Sequence, residues 1–517
     1  MTTRKQRYVR SNIGRFFVAV IFISIQITWI VLMFMKLNES FKWVSIAIKV
    51  GTAVLVLYIC SVPKNASVRL MWIVFIAFFP IFGITMYLMI ELSFATGAMK
   101  KRYKKTDAQL FPFLPQNNTV LHELEKEDVS AANMARYLHV HTGFPVYSNT
   151  DITYFPSAEE AFIAQKEAMR HAQQFIFMEY FIIEDAESFQ EIEAILEQKV
   201  QEGVEVRIFY DDIGSIKRIS RKFNKRMQAK GIRCHTFNPI RPVFNMFLNY
   251  RDHRKMTIID GKIGFTGGYN IANEYFNIVR MHGHWKDSGI KLTGEAVKSL
   301  TCMFLEMWNA VNSRDADDAD FSRYFPKSER IMKRQGYVQP YSDSPLDNEH
   351  TSENVYLNII NNAEKYCYIM TPYLIIMDEM TKALCLAAKR GVDVRIITPG
   401  IPDKKLVHAA THSYYGQLIN NGVQIYEYTE GFCHAKMCIA DNKNATCGTI
   451  NLDYRSLYHN FENGVFMHRT RAVRAIKKDF DSLFPQCENV GSKYNYKKHP
   501  YRLKVLQICL RLVSPLL

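Results

Sequence analysis

The residues that could do chemistry occur in two copies with the same spacing. The first copy consists of His253, Lys255, Asp260, Gly268 and Asn270. The second repeats the gaps as His434, Lys436, Asp441, Thr449 and Asn451. With a frequency near ~0.05 for each fixed partner, two such copies have odds of roughly 10⁻⁸ of arising by chance. The repeat therefore indicates a shared chemical role.

Two His and two Lys brought to one pocket would suit the cleavage of a phosphate diester. One imidazole can attack phosphorus and form a phosphohistidine, while the other protonates the leaving alkoxide and then activates the incoming hydroxyl. The Lys and Asn side chains would hold the phosphoryl oxygens through the transition state. Asp260 and Asp441 are predicted to orient a His or a Lys. Because the protein supplies the cations, we predict no metal and no other cofactor.

Short strands are predicted to position both copies. The stretches 256–259 and 437–440 have the pattern of strands. Residues two apart on a strand point the same way, so the His and Lys of each copy should share one face. The Gly-rich turn that follows lets the backbone approach a ligand closely.

The duplication extends upstream of each copy. In the first half we predict a helix, a strand, a helix and a strand at 158–174, 175–183, 188–202 and 203–210. In the second half we predict a strand, a helix and a strand at 366–374, 378–390 and 391–397. This alternation is typical of βαβ units. We therefore predict an α/β fold of two duplicated lobes with mixed sheets flanked by helices, at 127–325 and 326–517.

Three apolar runs precede the predicted lobes, near 16–35, 43–62 and 70–92. Each has about the length that a membrane-spanning helix needs. The sequence therefore predicts two to three transmembrane helices within a membrane anchor at 1–95, followed by a polar connector at 96–126.

Basic residues flank this anchor on both sides, in the head before residue 16 and at 100–105. Both flanks favour the cytoplasmic side, whereas three spans would separate them. The number of true spans and the orientation of the N-terminus stay open. We predict that the catalytic part is cytoplasmic.

The formal net charge of +15 indicates a polyanionic partner, either nucleic acid or an anionic membrane surface. A merely basic soluble protein is the alternative. The apolar N-terminus favours membrane lipid, and we expect no nucleic acid partner. The ten cysteines lack the spacing of zinc ligands or of a disulfide framework, which predicts buried thiols in a reducing compartment.

The doubled pattern His-x-Lys-x₄-Asp-x₆-Gly-[Gly/Thr]-x-Asn resembles the phospholipase D superfamily. Within it the chain resembles the bacterial cardiolipin synthases, through phrases that run along nearly the whole sequence. These phrases are Pro80-Ile-Phe-Gly83, Met178-Glu-Tyr180, Val338-Gln-Pro-Tyr341, Thr371-Pro-Tyr373, residues 425–436, Gly448–Ser456 and Leu512–Leu517. The resemblance departs mildly at Asp252, where the family often has Asn, and at Cys433.

The resemblance implies transfer of a phosphatidyl group between two phosphatidylglycerol molecules, which yields cardiolipin and glycerol. It implies a multi-pass protein of the bacterial cell membrane that contacts anionic lipid. It also implies that His253 is the nucleophile and that His434 is the acid and base. A phospholipase D-type hydrolase is the nearest alternative, and a membrane-bound nuclease or a non-catalytic scaffold are others. The sequence leaves the oligomeric state and the second lipid open.

Overall fold

The computed structural model describes residues 28, 31, 42–62, 65–91, 94–239, 250–311, 317, 320–327, 335–347, 349–494 and 505–516. The chain divides into two compact units, Met1–Ala95 and Thr96–Leu517. The described helices are α1 (Lys42–Ser61), α2 (Ala66–Phe78), α3 (Pro80–Glu91), α4 (Phe94–Leu110), α5 (Asn118–Glu127), α6 (Val129–Thr142), α7 (Ala158–Arg170), α8 (Glu187–Gln201), α9 (Asp212–Ser215), α10 (Phe223–Ala229), α11 (Val297–Val311), α12 (Thr351–Asn361), α13 (Asp378–Lys389), α14 (Lys405–Ile419), α15 (Tyr454–Tyr458), α16 (Arg471–Leu483) and α17 (Val505–Leu512).

The described strands fall into the two predicted halves of the second unit. The first half contains β1 (Thr150–Phe155), β2 (Phe175–Tyr180), β3 (Glu205–Asp211), β4 (Arg233–Phe237), β5 (Arg251–Asp252), β6 (Lys255–Ile259), β7 (Ile263–Gly267), β8 (His284–Lys286) and β9 (Gly289–Gly294). The second half contains β10 (Tyr337–Asp343), β11 (Tyr366–Met370), β12 (Asp393–Pro399), β13 (Gln424–Tyr428), β14 (Gly431–Cys433), β15 (Met437–Ala440), β16 (Asn444–Gly448), β17 (Asn460–His468) and β18 (Cys487–Asn489).

The first unit contains the helices α1, α2 and α3. Of the apolar run predicted at 16–35, all but residues 28 and 31 lie outside the described residues. The second run forms α1, close to its predicted bounds. Within the described parts of the chain, no helix is both long enough and apolar enough to cross a bilayer.

The third apolar run was predicted as one segment over 70–92, whereas the structure has two helices, α2 and α3. The break falls at Phe79, whose ψ of 71° is not helical. The ring of Pro80 disfavours the α conformation in the residue before it, which explains the break at this position. The two helices pack through Trp72 and Tyr87, whose rings meet edge to face at 5.4 Å.

The predicted polar connector begins with helix α4, which packs into the core of the second unit. Met99, Thr106 and Leu110 are buried, and Tyr103 is half-buried between them. These positions are four, three and four residues apart, which places them on one face of a helix. The lysines between them are exposed, so this segment is an amphipathic part of the catalytic unit.

The first lobe is built on a mixed seven-stranded sheet with the order β1-β9-β7-β6-β2-β3-β4. Strands β2, β3 and β4 pair in parallel, as their helical crossovers require. The remaining neighbours pair antiparallel. Strand β6, which carries the first Lys, therefore lies in the middle of the sheet beside β2.

The second lobe repeats this arrangement strand for strand. Its sheet has the order β10-β17-β16-β15-β11-β12-β13-β18, and β5 of the first half pairs with β17. Strands β11, β12 and β13 are parallel, and β15 lies antiparallel to β11 as β6 does to β2. The predicted α/β fold of two duplicated lobes is therefore confirmed, with β18 as an addition in the second lobe.

Candidate active site

Both His residues stand where a strand of one lobe pairs with a strand of the other. Strand β5 pairs in parallel with β17, and the backbone N–H of His253 donates to the carbonyl of Phe461 at 2.9 Å. Strand β14 pairs in parallel with β8, and the N–H of His434 donates to the carbonyl of Lys286 at 2.7 Å. The two crossings correspond to each other, so each His is fixed by the opposite lobe.

A carboxylate of the opposite lobe contacts each imidazole. The Nδ1 of His253 lies 2.9 Å from the Oε1 of Glu462. The Nδ1 of His434 lies 2.7 Å from the Oδ2 of Asp287. Both carboxylates are fully buried. A carboxylate on Nδ1 holds the ring in the tautomer that leaves Nε2 available for chemistry.

Glu462 and Asp287 were not found by the sequence analysis, although the sequence carries a signal for them. Each begins an acid-x-Gly phrase, Asp287-Ser-Gly289 in the first half and Glu462-Asn-Gly464 in the second. Each phrase follows its own Gly-rich turn in the chain. The contacts cross between lobes, so spacing within one copy could not pair either acid with its His.

The two Lys side chains are buried and directed back to the His segments. The Nζ of Lys255 donates to the carbonyl of His253 at 2.6 Å. The Nζ of Lys436 donates to the carbonyl of His434 and also lies 2.7 Å from its Nδ1. Each His and Lys therefore lie side by side, as the alternation of strand residues predicts.

The two predicted Asn residues have different surroundings. The Oδ1 of Asn270 accepts the backbone N–H of Ile182 at 3.0 Å, and its Nδ2 donates to the hydroxyl of Tyr275 at 2.9 Å. Asn451 is also buried, but its Oδ1 has no hydrogen-bond partner among the described residues. Asn270 thus links the backbone of Ile182 to the side chain of Tyr275, whereas the Oδ1 of Asn451 could accept a hydrogen bond from a ligand.

Gly268 and Thr449 occupy equivalent positions beside the two carboxylates. The hydroxyl of Thr449 donates to the Oε2 of Glu462 at 2.5 Å. A Cβ at position 268 would lie only 2.1 Å from the Oδ1 of Asp287. Gly268 therefore leaves the space that the Asp287 carboxylate fills, and Thr449 holds its counterpart by a hydrogen bond.

Asp260 and Asp441 do not contact the catalytic His or Lys, in contrast to the orienting role predicted for them. The carboxylate of Asp260 accepts the backbone N–H groups of residues 173, 174 and 175 at 2.7–2.9 Å. That of Asp441 accepts those of residues 364, 365 and 366 at 2.7–3.0 Å. Each Asp follows the end of its strand, where it anchors the start of the neighbouring strand.

Replacing Asp260 by Ala is expected to destabilise the protein, because three backbone donors lose a charged acceptor. We expect a loss of about 2–4 kcal/mol in the free energy of unfolding, measured by denaturant titration of the purified protein in detergent. Asp260→Asn, which keeps one acceptor oxygen, should lose less. Unchanged stability together with lost turnover would instead assign Asp260 a direct catalytic role.

Burial and mutual repulsion shape the proton affinities of the site. Burial lowers the pKa of both His253 and His434 well below the usual range, and the neighbouring lysine charges lower it further. Burial also lowers the pKa of Lys255 to about 7 and that of Lys436 to about 8. Without a ligand, the His and Lys side chains of the site therefore lose their protons more easily than they would in water.

The two carboxylates show the opposite shift for the same reason. Burial raises the pKa of Glu462 to about 8 and that of Asp287 to about 7. A bound phosphodiester would add a negative charge beside the His and Lys side chains and raise the pKa of each. The arrangement is thus matched to an anionic ligand, whose charge restores the protonated cations.

The fold and the site together define a class of protein. Two lobes of the same topology contribute one His, one Lys and one carboxylate each, and every carboxylate serves the His of the other lobe. The two His residues are candidates for the nucleophile and the acid, and the two Lys residues are cations. This combination is typical of enzymes that transfer phosphoryl-linked groups through two His-Lys motifs.

Comparison with known proteins identifies the family. A family model described as "Cardiolipin synthase, PLD-like domain" matches residues 166–308 and 356–484. A second, described as "Phospholipase_D-nuclease N-terminal", matches residues 51–90. The chain therefore belongs to the cardiolipin synthase family with phospholipase D-like domains, and it is a phosphatidyltransferase.

Similar chains occur in several bacteria. A cardiolipin synthase of Halalkalibacterium halodurans is 33% identical over 88% of this chain and 90% of its own length. An uncharacterised protein of Streptococcus mutans is 43% identical over 89% of this chain and 99% of its own. The crystal structure of a phosphatidylserine synthase from Haemophilus influenzae has the same fold, with a TM-score of 0.55 at 15% identity, over 74% of this chain and 97% of that one.

Proposed function

We propose that the chain makes cardiolipin and glycerol from two phosphatidylglycerol molecules through a phosphohistidine on His253. The observation that carries this proposal is the exchange of carboxylates between lobes, Glu462 to His253 and Asp287 to His434. That exchange prepares two imidazoles for complementary roles in one pocket.

In the first step, the Nε2 of His253 attacks the phosphorus of the donor phosphatidylglycerol. The bond from phosphorus to the glycerol headgroup breaks, and protonated His434 delivers a proton to the leaving glycerol oxygen. Lys255 and Lys436 neutralise the phosphoryl oxygens as charge builds up on them. Glu462 stabilises the positive charge that develops on the ring of His253.

In the second step, the headgroup hydroxyl of another phosphatidylglycerol attacks the phosphorus. His434, now neutral, takes the hydroxyl proton, and the bond between phosphorus and His253 breaks. Cardiolipin leaves, and both His residues return to their starting state. Water in place of the lipid hydroxyl would give phosphatidic acid, so the identity of the acceptor separates a synthase from a hydrolase.

The proposal includes attachment to the bacterial cell membrane as a multi-pass protein, with the catalytic lobes on the cytoplasmic side. Its supports are the apolar run at 16–35, the apolar helices α1 to α3 and the N-terminal family match. The basic side chains of α4 are exposed and suit anionic headgroups; they are Lys100, Lys101, Arg102, Lys104 and Lys105.

The reaction is tested by incubating the purified full chain with labelled phosphatidylglycerol in detergent micelles. We expect equimolar cardiolipin and free glycerol. Phosphatidic acid without cardiolipin would favour the hydrolase alternative and contradict the proposal.

The dependence of kcat/KM on pH is expected to be a narrow bell near pH 7–8. Its alkaline limb arises because Lys255 and Lys436 lose their protons as the pH rises through their lowered pKa values of about 7 and about 8. The lowered pKa of His434 adds to this fall, because the first step needs that imidazole protonated. Its acidic limb arises because Asp287 and Glu462 become protonated as the pH falls through about 7 and about 8. Since kcat/KM reports the free enzyme, initial rates at low substrate test this directly. An alkaline limb at about 10.4, the ordinary lysine value, would contradict it.

A further inference from the structure

The proposed reaction needs a second site that binds an anion. The inference drawn from this requirement rests on the proposed function. The acceptor phosphatidylglycerol carries its own phosphodiester, in addition to the phosphoryl group held on the enzyme. The two buried lysines are committed to the phosphoryl group that is transferred. A further cation near the pocket would have to hold the phosphate of the acceptor.

Lys404 lies in a position to supply this charge. It directly precedes helix α14, and its side chain is 63% exposed. Its Nζ donates to the hydroxyl of Tyr373 at 3.3 Å and lies 5.1 Å from the centre of that ring. Asp403 forms an ion pair with it at 3.8 Å, which is longer than a hydrogen bond. Because an ammonium has three N–H donors, the contact with Tyr373 leaves capacity for a ligand.

A short chain of aromatic rings connects Lys404 to the catalytic centre. The ring of Tyr373 lies 6.3 Å from that of Phe432, which lies 5.8 Å from the imidazole of His434. Tyr373 itself is fixed, since its hydroxyl donates to the Oδ2 of Asp403 at 2.6 Å. The position of the ammonium relative to His434 is thus set by packed side chains.

The charge of Lys404 reaches the catalytic groups of both halves. Its positive charge lowers the pKa of His253 and of His434, as the buried lysines do, and it also lowers the pKa of the Asp453 carboxyl. Lys404 is therefore a solvent-exposed cation whose charge acts on the catalytic groups.

We propose that Lys404, held by Tyr373, binds the phosphodiester of the acceptor lipid and thereby selects an anionic acceptor over a neutral one. The bound acceptor places its headgroup hydroxyl toward the phosphohistidine, while its phosphate pairs with the ammonium. Lys404 takes no part in the covalent steps. It therefore determines which acceptor is used.

The test lets two acceptors compete for the same phosphatidyl-enzyme. The full chain in detergent micelles receives phosphatidylglycerol and radiolabelled glycerol, so that transfer to the lipid gives cardiolipin and transfer to glycerol gives labelled phosphatidylglycerol. Lys404→Gln is expected to lower the ratio of cardiolipin to labelled phosphatidylglycerol by about 3- to 10-fold, a modest change because the cation is partly exposed. Lys404→Arg should retain most of the ratio.

The neighbouring Lys405 provides a matched control, because it is also exposed and lies next in the chain. Lys405→Gln is expected to leave the ratio unchanged. Both products come from one intermediate, so the ratio does not depend on how much of a variant is folded. An unchanged ratio in Lys404→Gln, or an equal fall in Lys405→Gln, would overturn the role of Lys404. A wild-type chain that forms neither product would instead overturn the proposed function.

Discussion

Replacing either His253 or His434 by Ala is expected to lower the turnover of phosphatidylglycerol by at least about 10³-fold. Loss of the nucleophile removes the covalent route, and loss of the acid and base leaves the glycerol alkoxide without a proton donor. The measurement is initial-rate formation of cardiolipin by each purified variant. Because the two groups act in one sequence of steps, the double variant should be about as slow as the worse single variant.

The control for this pair is His171→Ala, at an exposed position outside the site, which should retain full turnover. Thermal unfolding of each variant is measured in parallel to separate lost catalysis from lost folding, because Ala leaves the buried Glu462 or Asp287 without its His partner. Retention of more than about a tenth of the wild-type rate in either His variant would contradict the assignment, since general acid–base catalysis alone contributes 10²–10⁴-fold.

Replacing Asp287 by Asn or Glu462 by Gln is expected to lower kcat by about 10²–10⁴-fold with little change in KM. An amide keeps the shape but cannot stabilise a charged imidazole, and it can hold the ring in the wrong tautomer. The loss should therefore appear in the chemical steps. Steady-state kinetics on phosphatidylglycerol, separated into kcat and KM, measure it.

Gly268→Ala provides an independent route to the same effect. The added methyl group would meet the Oδ1 of Asp287 at 2.1 Å and displace that carboxylate from His434. We expect kcat to fall as in Asp287→Asn. Asp481→Asn, at an exposed ion pair with Lys477, serves as the control and should be neutral. A large rise in KM with unchanged kcat in the Asp287 variant would show that the carboxylate binds substrate instead of positioning His434.

Local pattern predicted the scaffold well. The strand and helix upstream of each motif have short-range periodicity, and the helix predicted at 188–202 is found as Glu187–Gln201. The strand predicted over 437–440 has the same bounds in the structure. The duplication predicted two lobes of the same topology, because two halves with the same pattern fold into sheets with the same strand order.

The carboxylate partners could not be predicted in the same way. Glu462 contacts His253 across 209 positions of sequence, and such a contact leaves no trace in the spacing of either motif. Asp260 has the fixed spacing of the motif, but its carboxylate accepts hydrogen bonds from three backbone N–H groups. The fixed spacing of the motif therefore includes a residue that the fold requires, in addition to the residues that the chemistry requires.

Two other differences have simple physical causes. The abundance of lysine concealed the buried face of helix α4, where Met99, Tyr103, Thr106 and Leu110 pack inward. The apolar run at 70–92 suggested one helix because hydropathy averages over position, whereas Pro80 acts at a single residue. In both cases the position of individual residues decides the structure, whereas the mean composition of the segment does not.

Identification of the covalent intermediate tests the central claim most directly. In His434→Ala, transfer to an acceptor hydroxyl should be slow, and a donor with a nitrophenol leaving group needs no acid. Rapid acid-free quenching, proteolysis and mass spectrometry of this variant should therefore find the phosphatidyl group on the peptide that contains His253. The same label should be absent from His253→Ala. A label on another residue, or no label although nitrophenol is released in a burst, would contradict the account.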